Sequence, residues 1–202
     1  MSALMLPEAT ALLVVDVQQG FKRPPYKDLE SSTPACIPNI ARIIAAFRAA
    51  SLPVIHIRHH SKDPSSPFHR RNCPEGAAVE PDAAERPGEP VFIKNVNSSF
   101  IGTGLEAHLR ARGITTLVVV GLTTAHCVST TVRMAGNLGW EVYLPRDATS
   151  MFGRKNAPGA QEGRREFDAQ TMHEVALAEL HEEFATVVTT EDIIGAVKEV
   201  GK

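Results

Sequence analysis

The chain has 202 residues, of which 43% are hydrophobic and 22% charged, an ordinary globular composition that excludes disordered and fibrous classes. Its formal charge of −2 gives no overall field that would draw it to nucleic acid or to an anionic membrane. A chain of this length supports a large core without a metal or disulfide staple, and no seam divides it, so a single domain over 1–202 is expected.

In chain order, short apolar runs alternate with helical patterns. Ala11 to Val17 is a continuous apolar run, as a strand covered on both faces requires. Ile40, Ile43, Ile44 and Phe47 follow at i, i+3, i+4, i+7, predicting a helix entered after Pro38 and ended before Pro53. Val54 to Arg58 and Val91 to Lys94 read as the second and third strands. A helix over about Thr103 to Arg112 stops at Gly113, a usual left-handed cap. Thr116 to Gly121 is the fourth strand. Val128, Val132, Ala135 and Leu138 then repeat at helical spacing up to Gly139, and Glu141 to Pro145 is the fifth strand. Met172, Val175, Ala176, Leu180 and Phe184 stripe a further helix, ahead of a sixth strand at Ala185 to Thr189. A last helix, capped by Thr190, carries Ile193, Ile194 and Val197.

This alternation predicts an α/β fold in three layers, a parallel sheet between helices joined by right-handed crossovers. Ligands in such folds bind beyond the carboxyl ends of the strands. Between Ser61 and Pro90 the pattern breaks, with six of the fourteen prolines and no periodicity. Residues 61–90 therefore read either as a functional loop or lid, or as a tolerated surface insertion.

The longest apolar stretches, such as Leu117 to Val120, fall far short of the ~20 residues of a bilayer span. No basic residue precedes Lys22, which fits no secretory signal. Cys36, Cys73 and Cys127 form neither a disulfide framework nor a Cys-x-x-Cys pair, so a reducing, cytoplasmic compartment is expected. Cys36 and Cys73 are assigned no role.

Three strand-end residues carry the chemistry. Asp16 follows the first strand; a carboxylate among valines is either solvated or held in a polar pocket, since burying it unpaired costs several kcal/mol. Lys94 ends the third strand, where a lone lysine taken by itself reads as an apolar stem with its ammonium reaching water. Cys127 follows the fourth strand where a helix begins, a position that lowers a thiol's pKa through the helix macrodipole. A thiolate nucleophile needs a proton-handling group and a cation, and Asp16 and Lys94 are of those types. His126 is excluded as the base because neighbours on a helix point about 100° apart.

These residues sit in stretches that resemble the isochorismatase-like cysteine hydrolases. The stretches are Asp16-Val17-Gln18, Lys94 with Ser98-Ser99-Phe100 and Gly102-Thr103, Gly121-Leu122-Thr123-Thr124-Ala125-His126-Cys127-Val128, Gly139-Trp140-Glu141-Val142, and Asp147-Ala148-Thr149. The resemblance implies a six-stranded parallel sheet in the order 3-2-1-4-5-6, a triad of Asp16, Lys94 and Cys127, and a cis peptide between Leu122 and Thr123. It also implies an oxyanion hole from the backbone N–H groups of Thr123 and Cys127, and dimers or tetramers. The chemistry expected is hydrolysis of an amide or ureido-type C–N bond of a small molecule through a thioester. The alternatives are vinyl ether hydrolysis of the isochorismatase type, which needs no thiol, and a non-catalytic thiol sensor on the same fold.

Nicotinamidases, a subclass this chain also resembles, hold a metal through an Asp-x-His pair after the second strand. Here that stretch reads Arg58-His59-His60-Ser61 and lacks the carboxylate, so no metal and no cofactor are expected. His56, His59, His60 and His69 read as pocket lining or packing. Gln18, Phe21, His59, Phe100, Thr124 and Phe152 follow strand ends and are the candidates for substrate contact. Arg154, Lys155, Arg164 and Arg165 flank a Gly-rich connection and read as a solvated segment.

Overall fold

A computed structural model of the chain describes residues 4–155, Pro158 and residues 166–201. The strands are β1 (Thr10–Val15), β2 (Val54–His59), β3 (Val91–Lys94), β4 (Thr116–Leu122), β5 (Glu141–Pro145), β6 (Thr149–Ser150), β7 (Arg154–Lys155), β8 (Glu166–Phe167) and β9 (Thr186–Val188). The α-helices are α1 (Cys36–Ala49), α2 (Pro74–Ala77), α3 (Leu105–Ala111), α4 (Ser129–Asn137), α5 (Ala169–Leu180) and α6 (Thr190–Glu199).

Six strands lie in the order β3-β2-β1-β4-β5-β9, the two-residue β6 pairs with the end of β4, and β7 and β8 form a separate antiparallel pair. All pairings within the main sheet are parallel. This is the predicted order. β1 and β4 are buried along their whole length, so their continuous apolar runs serve both faces by simple alternation. Ala11, Leu13 and Val15 join Leu105 and Leu109 of α3, Val132 and Ala135 of α4, and Leu177 and Leu180 of α5 in one core. Leu12 and Val14 join Ile40, Ile43, Ile44 and Phe47 of α1 and Ile193, Ala196 and Val197 of α6 in the other. Phe47 is fully buried, and burial of such a side chain contributes about 1.5–3 kcal/mol.

Several boundaries differ from the sequence reading. α1 begins at Cys36, two residues before Pro38; the proline sits in the first turn, where its missing N–H has no helical acceptor in any case. α5 ends at Leu180, Val175 is 53% exposed, and the buried face runs through Ala169, His173, Ala176, Leu177 and Leu180. An apolar stripe could not locate a face that contains a histidine. Phe184 lies beyond the helix under the guanidinium of Arg133, 4.7 Å from its ring centroid. The cap of α6 is Thr189 and not Thr190: its side chain accepts from the Asp192 N–H while Asp192 reaches back to the Thr189 N–H, a capping box.

The 61–90 segment contains α2 and a 3₁₀ turn at Pro81–Ala83, and it is tied to the body of the protein. The Glu80 N–H donates to the Val17 carbonyl at 3.0 Å. Glu89 accepts from both Nε and Nη2 of Arg48 at 2.7 and 2.8 Å, and Glu85 pairs with Arg58. No helix among the described residues is long and apolar enough to cross a membrane.

Candidate active site

The parallel sheet delivers the candidate functional residues at one end, as the carboxyl ends of adjacent strands must. β1 stops at Val15, and Asp16 takes a left-handed conformation (φ 51°), which Asp tolerates better than most residues. The register pairs His59 of β2 directly with Lys94 of β3, and Val15 with Gly121. Gly121 has φ 130°, and a Cβ there would lie 2.0 Å from the Val15 carbonyl oxygen. Only glycine lets β4 pass this close to the backbone that presents Asp16. After β4, the Leu122–Thr123 peptide is cis and Thr124–Val128 form a π-helical turn that leads into α4. Cys127 therefore sits inside a helical run and not at its first residue, and such turns recur at functional sites.

Asp16, Lys94 and Cys127 come together around the lysine ammonium. Nζ donates to Asp16 Oδ2 at 2.6 Å, to the Val96 carbonyl at 3.0 Å and to Cys127 Sγ at 3.2 Å, and it lies 3.4 Å from His59 Nδ1. The Lys94 side chain is 0% exposed and that of Asp16 2%, so this lysine does not snorkel. Asn97 Nδ2 adds a second donor to the sulfur at 3.5 Å. Oδ1 of Asp16 is buried with no hydrogen-bond partner among the described residues.

The charge balance corrects the expectation of a depressed thiol pKa. Burial and then the Asp16 carboxylate push the Cys127 thiol up to about 12, with Lys94 opposing them. Burial also raises Asp16, against the pull of Lys94. One buried cation faces two groups that can each become an anion, and two anions in this space would leave one uncompensated. The resting state is then a thiol beside a carboxylate, and the negative charge can pass from Asp16 to the sulfur only as a proton moves the other way. His59 is held below its usual value by burial and by Lys94.

These residues open into a cavity of about 240 Å³, a volume suited to a small molecule. Phe21 and His59, read from sequence as contacts, line it together with Asp16, Thr123 and Cys127. The other four candidates do not line it. Gln18 is a buried brace: Nε2 donates to the carbonyls of Ala77 (2.8 Å) and His59 (3.2 Å), and Oε1 accepts the His59 N–H at 2.8 Å. Phe100 stacks on Trp140 in the core at 5.4 Å between centroids. Thr124 is buried, its hydroxyl 2.9 Å from His173 Nδ1, while His173 Nε2 lies 3.0 Å from the Arg146 carbonyl. That carbonyl can only accept, so Nε2 carries the proton and Thr124 donates to Nδ1. Phe152 stands behind the cavity wall against Phe21 and Tyr26.

The sequence reading missed Tyr26, Ser66, Phe68, Asn97 and Arg154 as cavity residues, and it considered His126 only as a base. Tyr26 and Phe68 lie in aperiodic loops and pack edge-on and tilted against Phe21, at 5.1 and 4.7 Å between centroids. Phe68 rests on Gly20, where a Cβ would come within 2.4 Å of its ring. Asn97 is three residues past Lys94, a strand-end polar residue that the sequence could have offered. Arg154, read as solvated, is exposed and also borders the cavity, and the equally exposed Lys155 pairs with Glu166 at 3.1 Å; Arg164 and Arg165 lie outside the described residues.

Asp16, His59 and Cys127 each present a ligand atom within 4.8 Å of the others, a grouping that could in principle hold a metal. Lys94 Nζ contacts all three, so a tethered cation already occupies the position a metal would need. His56 is committed elsewhere, to Glu89 at 2.9 Å, and His69 accepts the Asn72 N–H.

The chain was compared with known proteins. A family model described as the isochorismatase domain matches residues 10–192. The isochorismatase family protein YrdC of Bacillus subtilis is 43% identical over 189 residues, covering 94% of this chain and 96% of its own. The ureidoacrylate amidohydrolase RutB of Methylobacterium radiotolerans is 33% identical over 178 residues, covering 73% of this chain and 69% of its own. Among solved structures, a protein of the isochorismatase family from Chromobacterium violaceum superposes with a TM-score of 0.89 at 38% identity, covering 98% of each chain.

Proposed function

The chain belongs to the isochorismatase family of hydrolases, and from that premise we propose that it is a cysteine amidohydrolase cleaving a C–N bond of a small, non-peptide molecule. The observation that carries this reading is the single buried ammonium of Lys94 in contact with both the Asp16 carboxylate and the Cys127 sulfur. The similarity to an amidohydrolase over most of the chain favours the same bond type.

In the proposed reaction, Asp16 accepts the thiol proton through its free oxygen as Cys127 Sγ attacks the carbonyl carbon. Net charge in the buried site stays constant, so the transfer avoids the cost of a second anion. The oxyanion that forms would be met by the backbone N–H groups of Thr123 and Cys127, a contribution typically about 3 kcal/mol per donor. The protonated Asp16 then delivers its proton to the departing nitrogen as the C–N bond breaks, leaving an acyl thioester. Water, deprotonated by Asp16, attacks that thioester; the acid leaves and the sulfur takes back its proton. Lys94 remains protonated throughout and balances whichever of its two partners is charged.

A panel of small amides, ureido acids and lactams scored for ammonia or amine release, run beside Cys127→Ser, tests this. A thioester adduct on Cys127, trapped by rapid acid quench and seen by mass, is the expected result. A Cys127→Ala variant that cleaved the panel undiminished would overturn the thioester route, and an activity found only on a vinyl ether and kept by that variant would return the reading to isochorismatase-type chemistry.

A further inference from the structure

The Lys94 ammonium is oversubscribed. It has three N–H groups to donate, while Asp16 Oδ2 at 2.6 Å, the Val96 carbonyl at 3.0 Å, Cys127 Sγ at 3.2 Å and His59 Nδ1 at 3.4 Å all lie within its reach. The carboxylate and the carbonyl are the nearer and stronger acceptors. The sulfur and the His59 ring, which burial and Lys94 keep neutral, are left to compete for the third N–H. A thiolate that leaned on Lys94 alone would hold one N–H, and that one shared.

Asn97 supplies what the ammonium lacks. Its Nδ2 lies 3.5 Å from Sγ at the border of the cavity. The thiol proton is committed to Asp16, so the sulfur turns lone pairs toward the carboxamide, and Nδ2–H donates. The loop that carries Asn97 is fixed on both sides. The Val96 carbonyl accepts from Lys94, and Ser99 meets Thr131 of α4 twice, through its N–H at 3.1 Å and its hydroxyl at 2.9 Å. Thr131 stands about one helical turn beyond Cys127. Asn97 and the sulfur thus share the same two anchors, the ammonium and the helix that follows the nucleophile. Because Asn97 is neutral, its hydrogen bond strengthens as charge gathers on the sulfur and adds no charge to the buried site.

We propose that Asn97 is a catalytic residue, a neutral hydrogen-bond donor that stabilises the Cys127 thiolate as it forms during attack and again as it leaves the thioester. Its part in turnover rests on the amidohydrolase reading; its effect on the thiolate does not. The thiol proton passes to Asp16 while the Nδ2–H bond to the sulfur tightens. No proton leaves Asn97, and the net charge of the site is unchanged.

Alkylation of Cys127 by iodoacetamide, read by mass at that peptide, reports on the thiolate without any turnover. Losing a donor raises the thiol pKa. A rise of about one cuts the thiolate fraction about tenfold and makes the remaining thiolate about threefold more nucleophilic, so the rate at pH 8 falls about threefold. Asn97→Leu keeps the bulk of the side chain and Asn97→Ala opens the cavity, yet both lose the donor. Both should react about threefold more slowly than the wild type, and Asn97→Asp, which puts an anion beside the sulfur, more slowly still. Asn97→Ala alkylated at the wild-type rate or faster, with the protein folded by circular dichroism, is the behaviour of a residue that merely lines the cavity and would overturn the proposal. If alkylation slows as expected but no amide in the panel is cleaved, the donor stands and the amidohydrolase reading fails. If amides are cleaved and Asn97→Ala changes neither alkylation nor kcat, the donor fails and the chemistry stands.

Discussion

The ammonium of Lys94 lies 2.6 Å from Asp16 Oδ2, with both side chains withdrawn from water. Each group is tolerable there only because of the other. Lys94→Met should therefore lower stability by about 3–5 kcal/mol by leaving a buried carboxylate unpaired. The double variant Asp16→Asn/Lys94→Met should recover much of that loss, and urea denaturation of the wild type, both single variants and the double variant measures the coupling.

The same pair determines how Cys127 titrates. With burial and the Asp16 charge raising the thiol to about 12, alkylation of the wild type by iodoacetamide should climb with pH between 7 and 10 and show no plateau. Asp16→Asn removes the competing anion and leaves Lys94 beside the sulfur, so the thiol becomes more acidic. Alkylation at pH 8 should then quicken by about tenfold or more, while amide hydrolysis falls by about 10²–10⁴ for want of the proton carrier. Slower alkylation in Asp16→Asn would contradict the charge balance described here.

Gly121→Ala places a methyl 2.0 Å from the Val15 carbonyl oxygen at a φ of 130°. The strand or the residue after it must shift, and a loss of about 3 kcal/mol or more is expected. Gly195, exposed in α6 with nothing within 4 Å of its would-be Cβ, makes the contrast. Gly195→Ala should stabilise by about 0.5–1 kcal/mol. Thermal melts of the two variants should move in opposite directions.

His173→Phe leaves the buried Thr124 hydroxyl without its partner, at about 1–3 kcal/mol, while the Arg146 carbonyl keeps the Thr149 hydroxyl at 3.4 Å. Because Thr124 opens the turn that carries Cys127, kcat should fall about tenfold with little change in KM. A KM effect alone would place His173 outside the positioning of the nucleophile.

Since Lys94 Nζ occupies the centre of the Asp16, His59 and Cys127 group, hydrolysis should survive exhaustive dialysis against a chelator. Activity that disappears and returns with added zinc or iron would mean that a metal displaces the ammonium.

Sequence reasoning reached the sheet because β1 and β4 are buried on both faces and so read as unbroken apolar runs. It reached Asp16, Lys94 and Cys127 because a parallel sheet gathers its strand ends in one place. It could not reach the thiol's charge state, which depends on a carboxylate 111 positions away in the chain meeting the same ammonium. Nor could it tell which residues past a strand end turn toward the cavity: Phe100 is taken by Trp140, Thr124 by His173, and Gln18 by two backbone carbonyls. Tyr26 and Phe68 carry no periodic signal, and Arg154 reads like any other loop arginine until His126 is found beside it.

Phe21, Tyr26, Phe68 and Arg154 border the cavity from loops or from the small β7–β8 ribbon, and none belongs to the six-stranded sheet that presents Asp16, Lys94 and the turn of Cys127. What the molecule recognises is thereby separable from how it reacts. On the proposed reading, exchanging these border residues should change which molecules the cavity admits while the Asp16, Lys94 and Cys127 group stays as it is. Selection in the laboratory for a new specificity would find its freedom there.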